Sequence, residues 1–198
     1  MSSDINLEKF QEILRTRRFG RRVFLSREVN STSDWAKELA KIGAEEGTIT
    51  VAQTQTAGKG RLSREWISPK GGLWFSIVLR PHQKASEAAK LVFVASLAVV
   101  EVLHEKYGLR TETKWPNDVL VNGKKICGLL AEMNTEGENV NYVILGVGVN
   151  ANFHADNVFP ESVKPPQLLL RTSLGKRSVW KVCLRRCLRR WRGFTTGM

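Results

Sequence analysis

The amino-acid sequence predicts an α/β (α+β) fold, a mixed β-sheet with flanking helices. Segments rich in β-branched residues alternate along the chain with segments of helical periodicity. Glycine, proline or an Asn-Gly pair stands at many of the junctions between them. The chain has 198 residues, of which 42% are hydrophobic and 25% charged, and these are ordinary values for a globular domain with a full core.

The first part of the chain predicts two helices and three strands. Apolar residues recur at helical spacing from Leu7 to Leu14, which predicts the first helix. The second helix is expected after the N-cap candidates at 31–34. Strands are expected where β-branched and aromatic residues are dense, at 21–29, 47–55 and 71–81.

The next part predicts one long helix followed by strands. The strongly apolar stretch 86–108 predicts a helix that ends near Gly108, and its apolar run is too short to span a bilayer. Residues 109–123 read as strand, turn and strand, with Asn122-Gly123 forming a hairpin turn. Two further strands are expected at 125–137 and 141–152.

The net charge of +12 is concentrated near the end of the chain. Residues 159–198 contain three Lys and seven Arg against the single acid Glu161, which is +9 of the total, so residues 1–158 carry only +3. The basic balance therefore gives little support to nucleic-acid binding by the main domain. Three cysteines do not form a disulfide framework, and no secretory signal is visible, so we expect a cytoplasmic protein.

The stretch "QTAGKGRLSREW", residues 55–66, is a glycine-rich cationic loop that ends on an aromatic ring. It matches neither a dinucleotide-binding fingerprint nor a Walker A loop. Its glycines nevertheless allow close approach to an anion, and Arg61 and Arg64 offer forked donors for phosphate oxygens. Trp66 is suited to stacking on a purine. Taken alone, the same stretch also fits a solvated basic surface loop.

The stretch "KWPNDVLVNGKKICGLL", residues 114–130, crowds polar side chains into a segment that otherwise reads as core. Lys114 and Lys125 could hold a carboxylate and a phosphate together, and Asp118 could orient an amine or hold a metal ion. Taken alone, Asn117 and Asp118 fit equally well as residues of a type I turn.

Together these stretches resemble the catalytic domain of the biotin protein ligases, over about residues 23–153. The resemblance is carried, in the family's order, by "VNST" (29–32), "QTAGKGRLSREW" (55–66), "GGLWFSIVLRP" (71–81), "KWPND" (114–118), "KKICGLL" (124–130) and "GVGVNAN" (146–152). It implies the class II aminoacyl-tRNA-synthetase-like fold of biotin/lipoate ligase catalytic domains, of the short type without an N-terminal DNA-binding domain.

The resemblance also implies an activity, that of a biotin–[acetyl-CoA-carboxylase] ligase. Such enzymes use ATP and Mg²⁺ to convert biotin into biotinyl-5′-AMP, and they transfer biotin to one lysine of a biotin carboxyl carrier protein. The catalytic residues implied are Arg61, Lys125 and Asp118. Biotin binding is implied for Ser31, Thr32, Gln55, Gly58, Lys59, Arg61, Lys125 and Gly128. ATP binding is implied for Arg61, Arg64, Trp66, Asn117 and Asn150. No side chain is expected to ligate a metal ion.

The resemblance further implies the partners and the domain limits. A homodimer is expected from the family, whereas a membrane or a nucleic acid is not expected as a partner. We expect the catalytic domain over residues 1–158. Residues 159–198 form an atypical basic tail where the family continues into the rest of the domain and an SH3-like barrel, which suggests a truncated or frame-disrupted C-terminus.

Three other readings stay open from the sequence. They are a lipoate–protein ligase, a biotin-binding protein with impaired catalysis, and a protein that binds nucleic acid through its basic tail. The chain also departs from the family at Ser63, which stands where a glycine is common. If that position requires a positive φ, the serine stiffens the loop.

Overall fold

The computed structural model describes residues 19–88 and 90–151. The helix expected from Leu7 and the basic tail from Phe159 lie outside the described residues. The elements in chain order are β1 (Val23–Val29), α1 (Thr32–Lys41), β2 (Ile49–Gln55), β3 (Leu73–Leu79), α2 (Ala85–Ala88), α3 (Leu91–Tyr107), β4 (Thr111–Lys114), β5 (Asp118–Val121), β6 (Lys124–Glu136) and β7 (Asn139–Val149).

The strands form one seven-stranded sheet in the order β1-β2-β3-β7-β6-β5-β4. β1 and β2 are parallel and are joined through α1, whereas every other neighbouring pair is antiparallel. The predicted mixed sheet with flanking helices is therefore confirmed. Among the described helices, none is long and apolar enough to cross a membrane.

The two faces of the sheet are covered by different helices. Side chains alternate between faces along a strand, so Phe75 and Ile77 of β3 pack with Val99 of α3, in the larger core cluster. Val78, the next residue of β3, packs with Ala36 and Ala40 of α1 in a second cluster. The α1 face of β3, β7 and β6 is the one that carries the cavity described below.

Local signals in the sequence account for most element ends. Ser31 caps α1, with its hydroxyl accepting a hydrogen bond from the backbone N–H of Asp34 at 3.4 Å. The stretch expected as one helix over 86–108 forms the short α2 and the long α3, and α3 ends at Gly108 with a φ of 63°. Asn122 and Gly123 have φ values of 51° and 71°, which confirms the predicted hairpin turn.

Two cations hold α1 on the sheet. Arg80, which follows β3, donates to the carbonyl oxygens of Ala40 at 3.0 Å, Ala44 at 3.0 and 3.1 Å, and Asn141 at 3.1 Å. The Ala40 and Ala44 carbonyls lie at and just beyond the end of the helix, where the intrahelical donors are missing, and Asn141 belongs to β7 of the sheet. Lys37 in mid-helix donates to Glu132 of β6 at 2.9 Å, and this hydrogen bond raises the pKa of Lys37. The helix is therefore fixed at its middle and at its C-terminal end.

We predict that Arg80→Lys lowers the free energy of unfolding by about 2 kcal/mol, because a single ammonium cannot reproduce the forked set of charge-assisted hydrogen bonds. Urea unfolding followed by circular dichroism measures the change. Arg110→Lys, at an exposed position, is the matched control and should unfold like the wild type. Equal stability of the two variants would show that the fork contributes nothing.

Candidate functional site

A cavity of about 730 Å³ lies on the α1 face of the sheet. Its floor contains three glycines, Gly128 of β6 and Gly146 and Gly148 of β7, and Gly128 is paired directly with Gly148. A methyl group added at Gly148 would lie 2.5 Å from the Trp66 indole nitrogen, and one at Gly146 would lie 2.7 Å from Ser33 Oγ. Because these positions have no side chain, Trp66 and Ser33 can pack closely against the floor of the cavity.

The inner end of the cavity is built from hydroxyl groups in a defined hydrogen-bond chain. The backbone N–H of Thr32 donates to Gln55 Oε1 at 2.7 Å, and Thr32 Oγ1 donates to the same oxygen at 3.0 Å. Ser76 Oγ lies 2.9 Å from Thr32 Oγ1 and 3.0 Å from Ser33 Oγ. Each hydroxyl has one hydrogen, so Ser76 donates to Thr32 and Ser33 donates to Ser76.

This chain fixes what the inner end offers to a ligand. Because the hydrogen of Ser33 is used on Ser76, Ser33 Oγ presents lone pairs, which accept hydrogen bonds from N–H groups. Ser31 Oγ accepts from Asp34 N, so its own hydrogen can be donated to a ligand oxygen. The amide of Gln55 cannot turn over, since its nitrogen donates to Ser68 Oγ at 2.7 Å. The inner end therefore combines donors and acceptors in fixed positions.

Lys125 is held between an aromatic ring and a carboxylate. Its ammonium lies 4.8 Å from the centre of the Trp66 ring and 2.7 Å from Asp118 Oδ1. The Lys125 and Asp118 side chains are only 20% and 22% exposed, so water screens this pair less than it would at the surface. Trp66 in turn packs on Gly128 and meets Trp74 edge-on at 6.3 Å. The arrangement places one fixed positive charge in the middle of the cavity.

Residues 58–66 form a closed hairpin, which we call the hairpin loop. Trp66 N donates to Gly58 O at 2.8 Å, and Gly60 N donates to Arg64 O at 2.7 Å. A 3-10 turn over Arg61–Ser63 makes the tip. Leu62 and Ser63 have φ values of 54° and 58°, so position 63 does require the positive φ that glycine adopts without cost.

The hairpin loop is tied to the rest of the site at two points. Lys59 Nζ pairs with Asp34 Oδ1 of α1 at 2.5 Å. Arg61 Nη1 donates to Asn117 Oδ1 at 3.4 Å, and Asn117 is itself fixed by the donation of Nδ2 to Leu129 O at 2.8 Å. The loop thus bridges α1 and the β4–β5 turn across the cavity.

The structure brings together nearly all of the residues that the sequence suggested. Those that line the cavity are Ser31, Thr32, Gln55, Lys59, Arg61, Arg64, Trp66, Asn117, Asp118, Lys125, Gly128 and Asn150. Asn150 lies against the Lys125 backbone, with Nδ2 donating to Lys125 O at 3.3 Å. Gly58 is not part of the lining. A methyl group there would lie 2.3 Å from Trp66 O and 3.0 Å from Gln55 Nε2, so this glycine lets the two ends of the hairpin loop approach.

Sequence reasoning assigned no ligand-binding or catalytic role to Ser33, Ser76, Gly146 and Gly148. The two glycines could have been found, because they alternate in "GVGV" and so share one face of a strand. Ser76 carried no such signal, since its importance depends on which residues of α1 lie above it. Trp74 is fully buried, and its indole nitrogen donates to Pro69 O at 2.9 Å, as expected of a packing residue.

Comparison with known proteins agrees with this geometry. The model of the biotin/lipoate A/B protein ligase family matches residues 25–150. The bifunctional ligase/repressor BirA of Bacillus subtilis is 41% identical over 165 residues, which are 83% of this chain and 50% of that protein. The biotin–[acetyl-CoA-carboxylase] ligase of Paracoccus denitrificans is 43% identical over 123 residues, which are 61% of this chain and 51% of that protein.

The chain thus spans about half the length of the curated relatives it matches. Among solved structures, the biotin protein ligase of Aquifex aeolicus in complex with biotin and ATP superposes with a TM-score of 0.71 at 31% identity, covering 89% of this chain and 73% of that one. The family match covers the sheet except for the first two residues of β1, and it covers every residue that lines the cavity. The chain belongs to the biotin/lipoate A/B protein ligase family.

Proposed function

We propose that the protein is an ATP-dependent biotin–protein ligase. It activates biotin to biotinyl-5′-AMP and transfers biotin to a lysine of a biotin carboxyl carrier protein. The proposal rests on one observation, which is that two regions of the same cavity offer different chemistry to a ligand. The inner end presents fixed hydroxyl donors and acceptors, and the middle and the loop present fixed cations.

The inner end suits a cyclic urea. The ureido ring of biotin has two N–H donors and one carbonyl acceptor, which match the lone pairs of Ser33 and the free hydrogen of Ser31. The dithiolane ring of lipoate has neither strong donors nor strong acceptors. It would leave these buried hydroxyls without ligand partners, which costs about 1–3 kcal/mol for each unpaired group. The hydrogen-bond chain therefore favours biotin over lipoate as the substrate.

The cations suit the adenylation step. The biotin carboxylate oxygen attacks the α-phosphorus of MgATP, and the bond from that phosphorus to the leaving pyrophosphate oxygen breaks. Two anions meet in this step, and negative charge grows on the phosphate oxygens. Lys125, held by Trp66 and Asp118, contacts the carboxylate and the α-phosphate, and Arg61 holds the phosphate from the hairpin loop. Both are positioned before the reaction, so little reorganisation is needed.

The remaining residues of the cavity complete the proposal. Arg64, Trp66, Asn117 and Asn150 hold the nucleotide, and Thr32, Gln55, Lys59 and Gly128 shape the biotin end, with Gly58 supporting the loop. In the second step the amine of the acceptor lysine attacks the carbonyl of the adenylate and AMP leaves, with Asp118 orienting the amine. A homodimer, a cytoplasmic location, and a catalytic domain that ends near residue 158 also belong to the proposal.

We predict that Arg61→Met and Lys125→Met each lower biotin-dependent ATP–pyrophosphate exchange by about 100-fold, because each removes one preorganised cation from the growing negative charge. Methionine keeps most of the length of either side chain, so the packing on Trp66 changes little. Arg110→Met and Lys84→Met, at exposed positions, are the matched controls and should keep wild-type exchange.

Two results would contradict the proposal. Exchange that proceeds equally with lipoate would reject biotin as the specific substrate. Exchange that survives in both Arg61→Met and Lys125→Met would remove these two residues from the catalytic step, even if the wild type is active with biotin.

We predict that Gly148→Ala weakens biotin binding by about tenfold or more, because the new methyl group overlaps the Trp66 indole and overpacking typically costs about 1–3 kcal/mol. Isothermal titration calorimetry measures the affinity. If the overlap with Trp66 is the cause, Gly148→Ala combined with Trp66→Phe should bind biotin more tightly than Gly148→Ala alone. If the double variant binds biotin more weakly than Gly148→Ala alone and Trp66→Phe alone, Gly148 has a different role.

A further inference from the structure

Two large apolar side chains stand in solvent at the mouth of the cavity. Leu62, at the tip of the hairpin loop, is 81% exposed, and Trp115, in the β4–β5 turn, is 73% exposed. Both border the cavity. Arg61, next to Leu62, is hydrogen-bonded to Asn117, two residues after Trp115, so the two segments meet at this rim. The rim therefore carries two exposed apolar side chains, Leu62 and Trp115, which we call the rim pair.

Leu62 is held outward at a cost. Its φ of 54° lies in the left-handed region, which for a residue with a Cβ is disfavoured by roughly 1–2 kcal/mol. The same conformation leaves its side chain in water, against the hydrophobic effect. The clasp from Gly60 N to Arg64 O at 2.7 Å keeps the loop in this shape. A backbone outlier that exposes an apolar side chain beside a site motivates the hypothesis that a contact is made there.

The charges that line the cavity indicate which kind of protein surface could bind at its mouth. Its charged lining consists of five cations and two acids, namely Lys59, Arg61, Arg64, Lys114, Lys125, Glu65 and Asp118. Lys59 and Lys125 already have carboxylate partners within the protein. Lys114 is exposed and is not assigned to the nucleotide, so it offers positive charge to a partner that covers the mouth. The complementary surface combines apolar side chains with carboxylates.

We propose that the rim pair is the docking surface for the acceptor protein, a folded domain that presents its target lysine beside apolar and acidic side chains. This proposal rests on the proposed function. A lysine that attacks the adenylate near Lys125 and Asp118 must enter through the mouth, so the domain that bears it covers the rim. Tryptophan is one of the residue types enriched among energetically dominant interface contacts, and the rim pair supplies one together with an exposed leucine.

The test separates adenylate formation from acceptor docking in the 198-residue chain. The variants are Leu62→Ser and Trp115→Ser, with Ile42→Ser as the matched control, since Ile42 is 82% exposed just after α1. Three rates are measured. They are biotin-dependent ATP–pyrophosphate exchange, transfer to the biotin carboxyl carrier domain of acetyl-CoA carboxylase from Bacillus subtilis, and formation of biotinyl hydroxamate. In the last, hydroxylamine nitrogen attacks the adenylate carbonyl, AMP leaves, and a proton passes to solvent.

We expect each rim variant to raise the KM for the carrier domain by about tenfold, with exchange and hydroxamate formation close to wild type, and Ile42→Ser unchanged in all three rates. Docking would be overturned if the carrier and hydroxylamine reactions fall together, or if the KM for the carrier domain stays at the wild-type value. A wild type that shows no biotin-dependent exchange would instead reject the proposed function, and the docking surface with it.

Discussion

The site depends on the absence of side chains at three positions of the central strands. Gly128, Gly146 and Gly148 face α1, and any Cβ there would occupy the space of Trp66 or Ser33. Because the floor is empty, the Trp66 ring lies flat enough on β6 and β7 to face the Lys125 ammonium. That ammonium in turn meets Asp118 across the β5–β6 pair. The position of the Lys125 ammonium thus depends on the three glycines of β6 and β7.

The polar end of the cavity depends on the position of α1. The backbone N–H of Thr32 can only donate, and this one fact sets the orientation of Gln55 and then of each hydroxyl from Thr32 to Ser33. A small rotation of the helix would break the chain at its first link. Arg80 binds the C-terminal end of α1, and Lys37 anchors the middle of the helix to β6. Both contacts oppose such a rotation. Residues far from the cavity therefore preserve its pattern of donors and acceptors.

Local signals predicted the fold well, whereas the geometry of the site needed the register of the sheet. Short-range sequence signals predict the Asn122-Gly123 turn, the cap at Ser31 and the end of α3 at Gly108. Most of the lining residues could be named from motifs that the chain shares with a known family. The contact of Ser33 with Ser76 joins residues 43 positions apart, and the pairing of Gly128 with Gly148 joins two strands. No local pattern encodes such distances. The motif around Gly58 suggested contact with the ligand, whereas in the structure this glycine allows the two ends of the hairpin loop to approach each other.

The hairpin loop has two sides with different chemistry. Lys59 and Arg61 are turned toward protein partners, Asp34 and Asn117, whereas Leu62 between the loop's two halves is turned to solvent. The backbone hydrogen bond from Gly60 to Arg64 connects the segment that carries the inner contacts with the tip that carries Leu62. If the loop tightens over an adenylate, the outward surface at the mouth changes with it. The activated intermediate and the surface offered to an acceptor would then be linked through this short hairpin.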